Sequence, residues 1–248
     1  ALRIKPDYAV AYNNMANAMK DKGDLAEAIE SYKQALRIKP DYAEVHNNMG
    51  SAMKDKGDLE QAIESYKQAL KIKPDYVGAY YNMGSVMRDK GDFEGAIESY
   101  KHALRIKPDY AGAYNNMGNA LSSKGDLAEA IESYKQAIRI KPDFAGAYNN
   151  MANAMKNKGD LVEAIESCKQ ALKIKPDYAD AYYNMANAMK DKGDLAEAID
   201  SYKKALKIKP NYASAYYNMG NALNEKGNPE AAIDSYKKAI KIKPNYAS

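Results

Sequence analysis

The chain holds one cysteine and two histidines in 248 residues, and each scarcity removes a class of function. A single cysteine, Cys168, rules out a disulfide framework within one chain, so packing must hold the fold. It also favours a cytoplasmic location over an oxidising one. His46 and His102 have no matching partner constellation. There is no glycine-rich phosphate loop, no metal-ligand spacing and no nucleophile–base pair that departs from the background pattern. The expectation is a non-enzymatic chain with no cofactor and no metal. No apolar run is long enough for a signal peptide core or a membrane span. The net charge of +4 is small and evenly dealt, so neither nucleic acid nor membrane is an expected partner.

Proline and glycine are also few, but their placement is informative. Prolines fall at 40, 74, 108, 142, 176, 210 and 244, every 34 residues, with Pro6 one step earlier. Glycines at 23, 57, 91, 125, 159, 193 and 227 keep the same spacing. Self-similarity at a fixed period signals a repeat architecture. The chain reads as one continuous array over residues 1–248. It has seven full repeats, 9–42, 43–76, 77–110, 111–144, 145–178, 179–212 and 213–246, and residues 1–8 are the tail of a truncated one. The chain therefore looks like a fragment of something longer.

Each repeat encodes two helices. Tyr12, Met15, Ala16 and Met19 recur at helical spacing and line one face. Gly23 sits where a helix ends in a left-handed residue. Asp24 and Glu27 read as an N-cap with its capping-box partner. Leu25, Ala28, Ile29, Tyr32, Ala35 and Leu36 form a second stripe, and Pro40 stops it. Helices this short are marginal alone, so each pair must bury its stripe on its neighbours. Arg37, Lys39 and their equivalents complement the dipole at the end of the second helix. Gly78 and Gly95 lie inside helices of the third repeat and are expected to soften it, since mid-helix Gly costs about 0.5–1 kcal/mol.

The residues Tyr12, Met15, Ala16, Met19, Gly23, Ala28, Tyr32, Ala35 and Pro40, repeated with a period of 34, resemble the tetratricopeptide repeat. The resemblance covers essentially the whole chain. It implies an all-α fold, an α-solenoid that winds antiparallel helix pairs into a right-handed superhelix. The first (A) helices would line an inner groove that usually holds peptides. Irregularities such as His46, Phe93, Ser122, Ser123, Cys168 and Pro229 point to a natural array grown by duplication, not a consensus design.

The A helices carry a second, polar stripe. Asn14, Asn48, Asn82, Asn116, Asn150, Asn184 and Asn218 put Asn at one position in all seven repeats. Asn17, Asn119, Asn153, Asn187 and Asn221 form a second row, completed by Ser51 and Ser85. A carboxamide offers two donors and an acceptor, so such rows can pair with the main chain of an extended peptide. Mid-helix Asn costs about 0.5–0.7 kcal/mol against Ala, which asks for an offsetting role. For the first row that role is either ligand binding or bonding to a neighbouring helix. For the second row ligand or water is the expected partner. The position before the first row alternates between Asn13, Asn47, Asn115 and Asn149 and the tyrosines Tyr81, Tyr183 and Tyr217. These tyrosines are either ligand anchors or packing against the adjacent repeat.

The array is similar in its YNN-Met-Ala/Gly-Asn pattern to the repeat domain of O-linked N-acetylglucosamine transferases, whose asparagine ladder holds peptide main chains. The family's carboxylate clamp is not expected. It needs Lys at the positions held by Val10, Glu44, Gly78, Gly112, Gly146, Asp180 and Ser214, and Lys or Arg in place of a first-row Asn. The expected function is a protein-interaction scaffold that binds extended peptide segments in the groove. Two alternatives stand beside it. One is an array that stacks end to end on further copies. The other is the recruiting arm of a larger enzyme such as a glycosyltransferase. The identity of a protein or peptide partner is not legible.

Overall fold

The computed structural model describes residues 7–244, which are helix and turn throughout. They form two compact units, residues 1–124 and 125–248. The first holds α1 (Asp7–Lys22), α2 (Leu25–Ile38), α3 (Ala43–Lys56), α4 (Leu59–Ile72), α5 (Val77–Asp89), α6 (Phe93–Ile106) and α7 (Ala111–Lys124). The second holds α8 (Leu127–Ile140), α9 (Ala145–Lys158), α10 (Leu161–Ile174), α11 (Ala179–Lys192), α12 (Leu195–Ile208), α13 (Ala213–Glu225) and α14 (Pro229–Ile242). Odd-numbered helices are the A helices and even-numbered ones the B helices. The expected end of a B helix at residues 1–5, with Leu2 and Ile4, lies outside the described residues.

Within each unit the helices follow one rule. An A helix packs on the B helix after it, on the B helix before it, and on the A helix of the next repeat, as α3 does with α4, α2 and α5. No B helix packs on another B helix among the described residues. The A helices therefore form the closer-packed side of each unit.

The small residue at the eighth position of the repeat has a direct cause. The fully buried Tyr66 and Tyr100 of the B helices lie against it. A Cβ on Gly50 would sit 2.8 Å from Cε1 of Tyr66, and one on Gly84 2.9 Å from Cε1 of Tyr100. Each ring buries on the order of 150–250 Å², the largest apolar contribution in its repeat. Ala28, Ala35 and their equivalents close the other side of the ring without exposure to solvent.

The turn between A and B helices needs its glycine. Gly57 has φ +93°, and nothing crowds the place of a Cβ there, so the constraint is backbone conformation alone. Its N–H donates to Lys54 O and the Asp58 N–H to Met53 O, each at 2.9 Å, the paired bonds of a Schellman ending.

The expected capping box does not form. Asp24, Asp58, Asp160 and Asp194 make no side-chain cap. Each carboxylate instead takes the lysine two residues earlier, Lys22, Lys56, Lys158 and Lys192, at 2.6–2.8 Å. The third repeat shows why. There Lys90 is drawn to Glu60 at 2.9 Å, and the released Asp92 accepts from the Gly95 N–H at 2.9 Å. Asn228, which attracts no lysine, likewise caps Ala231 at 3.2 Å.

Candidate functional site

Each polar row on the A-helix side has a defined bonding pattern. The first row donates across to the preceding repeat. Asn48 Nδ2 reaches Asn13 Oδ1 at 3.2 Å, Asn82 reaches Asn47 at 3.1 Å, and Asn184 reaches Asn149 at 2.9 Å. Where the acceptor position holds tyrosine, the phenol oxygen takes over. Asn116 Nδ2 donates to Tyr81 Oη at 2.9 Å and Asn218 Nδ2 to Tyr183 Oη at 3.0 Å. Asn and Tyr are interchangeable there because both present an oxygen at the same reach. The acceptors Asn13, Asn47 and Asn149 are themselves buried.

The second row is tied within its own repeat. Tyr32 Oη donates to Asn17 Oδ1 at 2.6 Å, Tyr202 to Asn187 at 2.6 Å, and Tyr236 to Asn221 at 2.8 Å. Ser51 Oγ and Tyr66 Oη lie 3.2 Å apart. Burial pushes the Tyr32 and Tyr66 phenols up to about 12, so they stay protonated and able to donate. Asn187 Oδ1 also accepts from Asn218 Nδ2 at 3.0 Å, which joins the two rows. In the third repeat Lys54 Nζ donates to Ser85 Oγ at 2.9 Å, and the buried Tyr100 hydroxyl has no partner among the described residues.

The tyrosines at the alternating position pack against other rings. Tyr81 lies 4.9 Å from Tyr110 and 5.9 Å from Tyr100, centroid to centroid. Tyr183 lies 4.9 Å from Tyr212 and 6.1 Å from Tyr202. Tyr217 leans on Tyr236 at 5.8 Å and is exposed. At the end of the A helices the charges are paired: Lys54 with Asp89 at 3.4 Å, Arg88 with Asp89 at 2.8 Å, Lys190 with Asp191 at 3.1 Å.

Family models described as TPR repeat match residues 16–57, 50–88, 84–124, 118–159, 157–193 and 186–227, and one described as tetratricopeptide repeat matches 213–246. This chain is a tetratricopeptide-repeat protein. No curated protein matches it. Among solved structures, this TPR chain is 32% identical to MamA, over 66% of its own length and 96% of that chain, with a TM-score of 0.60. It shares its fold with YrrB, described as a TPR protein with an unusual peptide-binding site, at 23% identity over 75% and 96% of the chains, TM-score 0.61. A tetratricopeptide repeat protein from Parabacteroides merdae matches 97% of this chain and 95% of its own at 22% identity, TM-score 0.78.

The departures from the TPR pattern have local explanations. Cys168 replaces a B-helix tyrosine and is fully buried, and burial pushes its thiol up to about 12. Asn153 thereby loses its tyrosine partner and stands exposed. His46 Nε2 lies 3.1 Å from Pro40 O, so that nitrogen carries the proton, while Nδ1 is buried without a partner. His102 stacks on Tyr80 with centroids 5.0 Å apart. No group of three His, Cys, Asp or Glu among the described residues could hold a metal ion, and no helix there is long and apolar enough to cross a membrane.

The sequence missed Asn13, Asn47 and Asn149 as acceptors. Their signal was available: buried Asn at a position that alternates only with Tyr, always one residue before the first row.

Proposed function

We propose that this TPR protein is a non-enzymatic scaffold whose A-helix face binds an extended protein segment through its main chain. One observation carries the reading. After the bonds within the array are made, Asn82, Asn184 and Asn218 of the first row and Asn17, Asn187 and Asn221 of the second keep opposite valences, whereas the oxygens of Asn14, Asn48 and Asn116 already accept from Asn13, Asn47 and Asn115 at 3.3–3.4 Å. In Asn82, Asn184 and Asn218 the NH₂ is committed to the preceding repeat, which leaves the carbonyl oxygen to accept. In Asn17, Asn187 and Asn221 the oxygen is committed to tyrosine, which leaves the NH₂ to donate. An extended peptide offers N–H and C=O groups alternately, and a row of acceptors beside a row of donors matches both. Packed helices lie about 8–10 Å apart, close to three residues of extended chain per rung. Each bond nets about 0.5–1.5 kcal/mol, so affinity accrues over rungs with little reading of side chains. The exposed tyrosine Tyr217 is the one anchor of the three with its ring open to solvent. Asn14, Asn48, Asn116, Asn119, Asn150 and Asn153 complete the proposed rows within their respective units. A TPR-containing enzyme could use the same face as a recruiting arm.

The test is an array of 15-residue peptides, probed with the protein and with Asn153→Ala. The Asn153 side chain makes no hydrogen bond among the described residues, so its loss leaves the fold intact, with about 0.5–0.7 kcal/mol of helix propensity gained, while weakening binding several-fold. Ligands N-methylated at alternate residues should fail to bind. Undiminished binding of N-methylated ligands would sink the main-chain reading.

A second reading is favoured by a separate observation. Met15 is 42% exposed, whereas Met49, Met83, Met151, Met185 and Met219 are 7–9% exposed. Ile233 is 51% exposed, whereas Ile29, Ile97, Ile131, Ile165 and Ile199 are 5–8% exposed. Within the array this Ile and Met belong to facing sides of one junction, so the outer faces of α14 and α1 match each other. A second copy stacked end to end would cover them. Sedimentation at rising concentration tests the second copy: a constant monomer mass with Ile233 intact removes it.

A further inference from the structure

The B-helix side of the last repeat carries a cavity of 480 Å³, lined by Pro210, Asn211, Tyr216, Lys238, Lys241 and Ile242. It is formed by the turn before α13, the first turn of α13 and the last turns of α14.

What singles out this copy is its charge. The turn residue is Asp41, Asp75, Asp109, Asp143 and Asp177 in earlier repeats, and Asn211 here. The counterpart of Lys238 is Gln68, Gln136 or Gln170, or His102, and becomes Lys204 only in the sixth repeat. Beside that lysine two acids remain, Asp177 in the turn before α11 and Asp180 in its first turn, the latter 4.0 Å from Lys209. At the turn into α13 and in its first turn both are gone, replaced by Asn211 and Ser214. A basic residue at the position of Lys241 recurs in every repeat and is explained by the helix dipole. The dipole does not explain the removal of the acids or the second lysine. Neither Lys238 nor Lys241 makes an ion pair among the described residues. Lys238 Nζ stands over the Tyr216 ring at 5.6 Å, beside the cavity. Lys238 and Lys241 are three residues apart on a helix and share a face. The Asn211 amide adds a neutral donor, and the first-turn N–H groups of α13 add partial positive charge.

We propose that this cavity is an anion site for a phosphoryl group, held by Lys238 and Lys241 with the Asn211 amide, against the wall of Tyr216 and Ile242. A phosphoryl group carries up to two charges and three acceptor oxygens, matching two ammonium groups and an amide, with Asp234, one turn before Lys238, as the acid that competes for it. The site uses the first turn of α13 and the last turns of α14, and none of its lining residues belongs to the asparagine rows, so it does not depend on the main-chain reading. Either can fail alone.

The experiment is an NMR titration at matched ionic strength, following the amides of Ala213–Tyr216 and Lys238–Ile242. The probes are inorganic phosphate, a short phosphoserine peptide and the same peptide unphosphorylated. The variant is Asn211→Asp with Lys238→Gln, the residue types found at the equivalent positions Asp143 and Gln170, so the change is one the fold already accommodates. Saturable shifts confined to these amides, weakened at least tenfold in the variant, are expected. A phosphopeptide that binds tighter than inorganic phosphate identifies the source as a modified side chain, and equal binding identifies a free phosphate. Shifts that do not saturate, that persist in the variant, or that match those from the unphosphorylated peptide overturn the site. Melting of wild type and variant within about a degree of each other excludes unfolding as the cause.

Discussion

The sixth and fifth repeats differ at the buried B-helix position held by Tyr202 and Cys168, and the difference separates two jobs of the second-row asparagine. In the sixth, Asn187 Oδ1 accepts from Tyr202 at 2.6 Å and from Asn218 at 3.0 Å, so it links the A helix to its own B helix and to the next repeat. In the fifth, Cys168 takes the place of the tyrosine, and Asn153 stands exposed with no bond. The amide is a strut where the ring is present and a bare surface group where it is absent. The comparison predicts unequal cost. Tyr202→Ala should cost about 3–5 kcal/mol, the range for emptying a buried aromatic site. Cys168→Ala should cost about 1 kcal/mol, one methylene's worth of burial. Urea denaturation of the two variants measures both. Equal losses would mean that the fifth repeat draws the same stability from its thiol that the sixth draws from its ring.

The exchange Cys168→Tyr sharpens the comparison further. A ring fits above alanine at the eighth position elsewhere, as Tyr32 does above Ala16 and Tyr202 above Ala186. The fifth repeat holds Ala152 there. The restored phenol should bond to Asn153 and gain about 1 kcal/mol. A loss of 1–3 kcal/mol, roughly the overpacking range, would show that the helices have closed around the smaller thiol. The unfolding midpoint reports the sign directly.

A smaller contrast lies between the third repeat and the others. Sequence reasoning treats Gly95 as a weak point in α6. The structure gives it a use, because its N–H is capped by Asp92 and a Cβ would run into that carboxylate and lie 2.9 Å from Met87 Sδ. Gly95→Ala gains about 0.5–1 kcal/mol in helix propensity and loses a cap worth about 0.5–2 kcal/mol. With the steric push on Met87 added, the net is a loss of about 1 kcal/mol. A melting temperature that rises instead would place the helix's preference above its cap.

These cases mark what was legible. The period, the helix pairs and the glycine turns follow from spacing and residue type, because local rules decide them. The bonds of the asparagine rows do not. Asn82 finds Asn47, and Asn116 finds Tyr81, each 35 residues back, one more than the period. That offset depends on how neighbouring A helices slide past one another, which no single repeat encodes. The caps were misjudged for a related reason. Asp24 and Glu27 fit the capping-box pattern, but Lys22 is a nearer and charged competitor, and pattern matching weighs no competition.

The neutral struts and the charged pairs at the ends of the A helices should separate with pH. Burial raises Asp89, but Arg88 at 2.8 Å and Lys54 at 3.4 Å outweigh it and hold the carboxyl below its ordinary 3.8. A depressed folded value means that the unfolded chain takes up the proton first. The contribution is therefore present above about 4 and is lost as pH falls through the folded value. Asp89 is partly solvated, so at neutral pH the pair is worth under about 1 kcal/mol. Asp89→Asn should lower stability slightly at pH 7 and flatten its fall below pH 4, while Tyr202→Phe should lower stability by a constant amount across that range. Urea midpoints for both variants at pH 7, 4 and 3 give the comparison. Parallel curves for the two would mean that Asp89 draws nothing from its cations, and that the neutral amide and phenol bonds hold the A helices together without them.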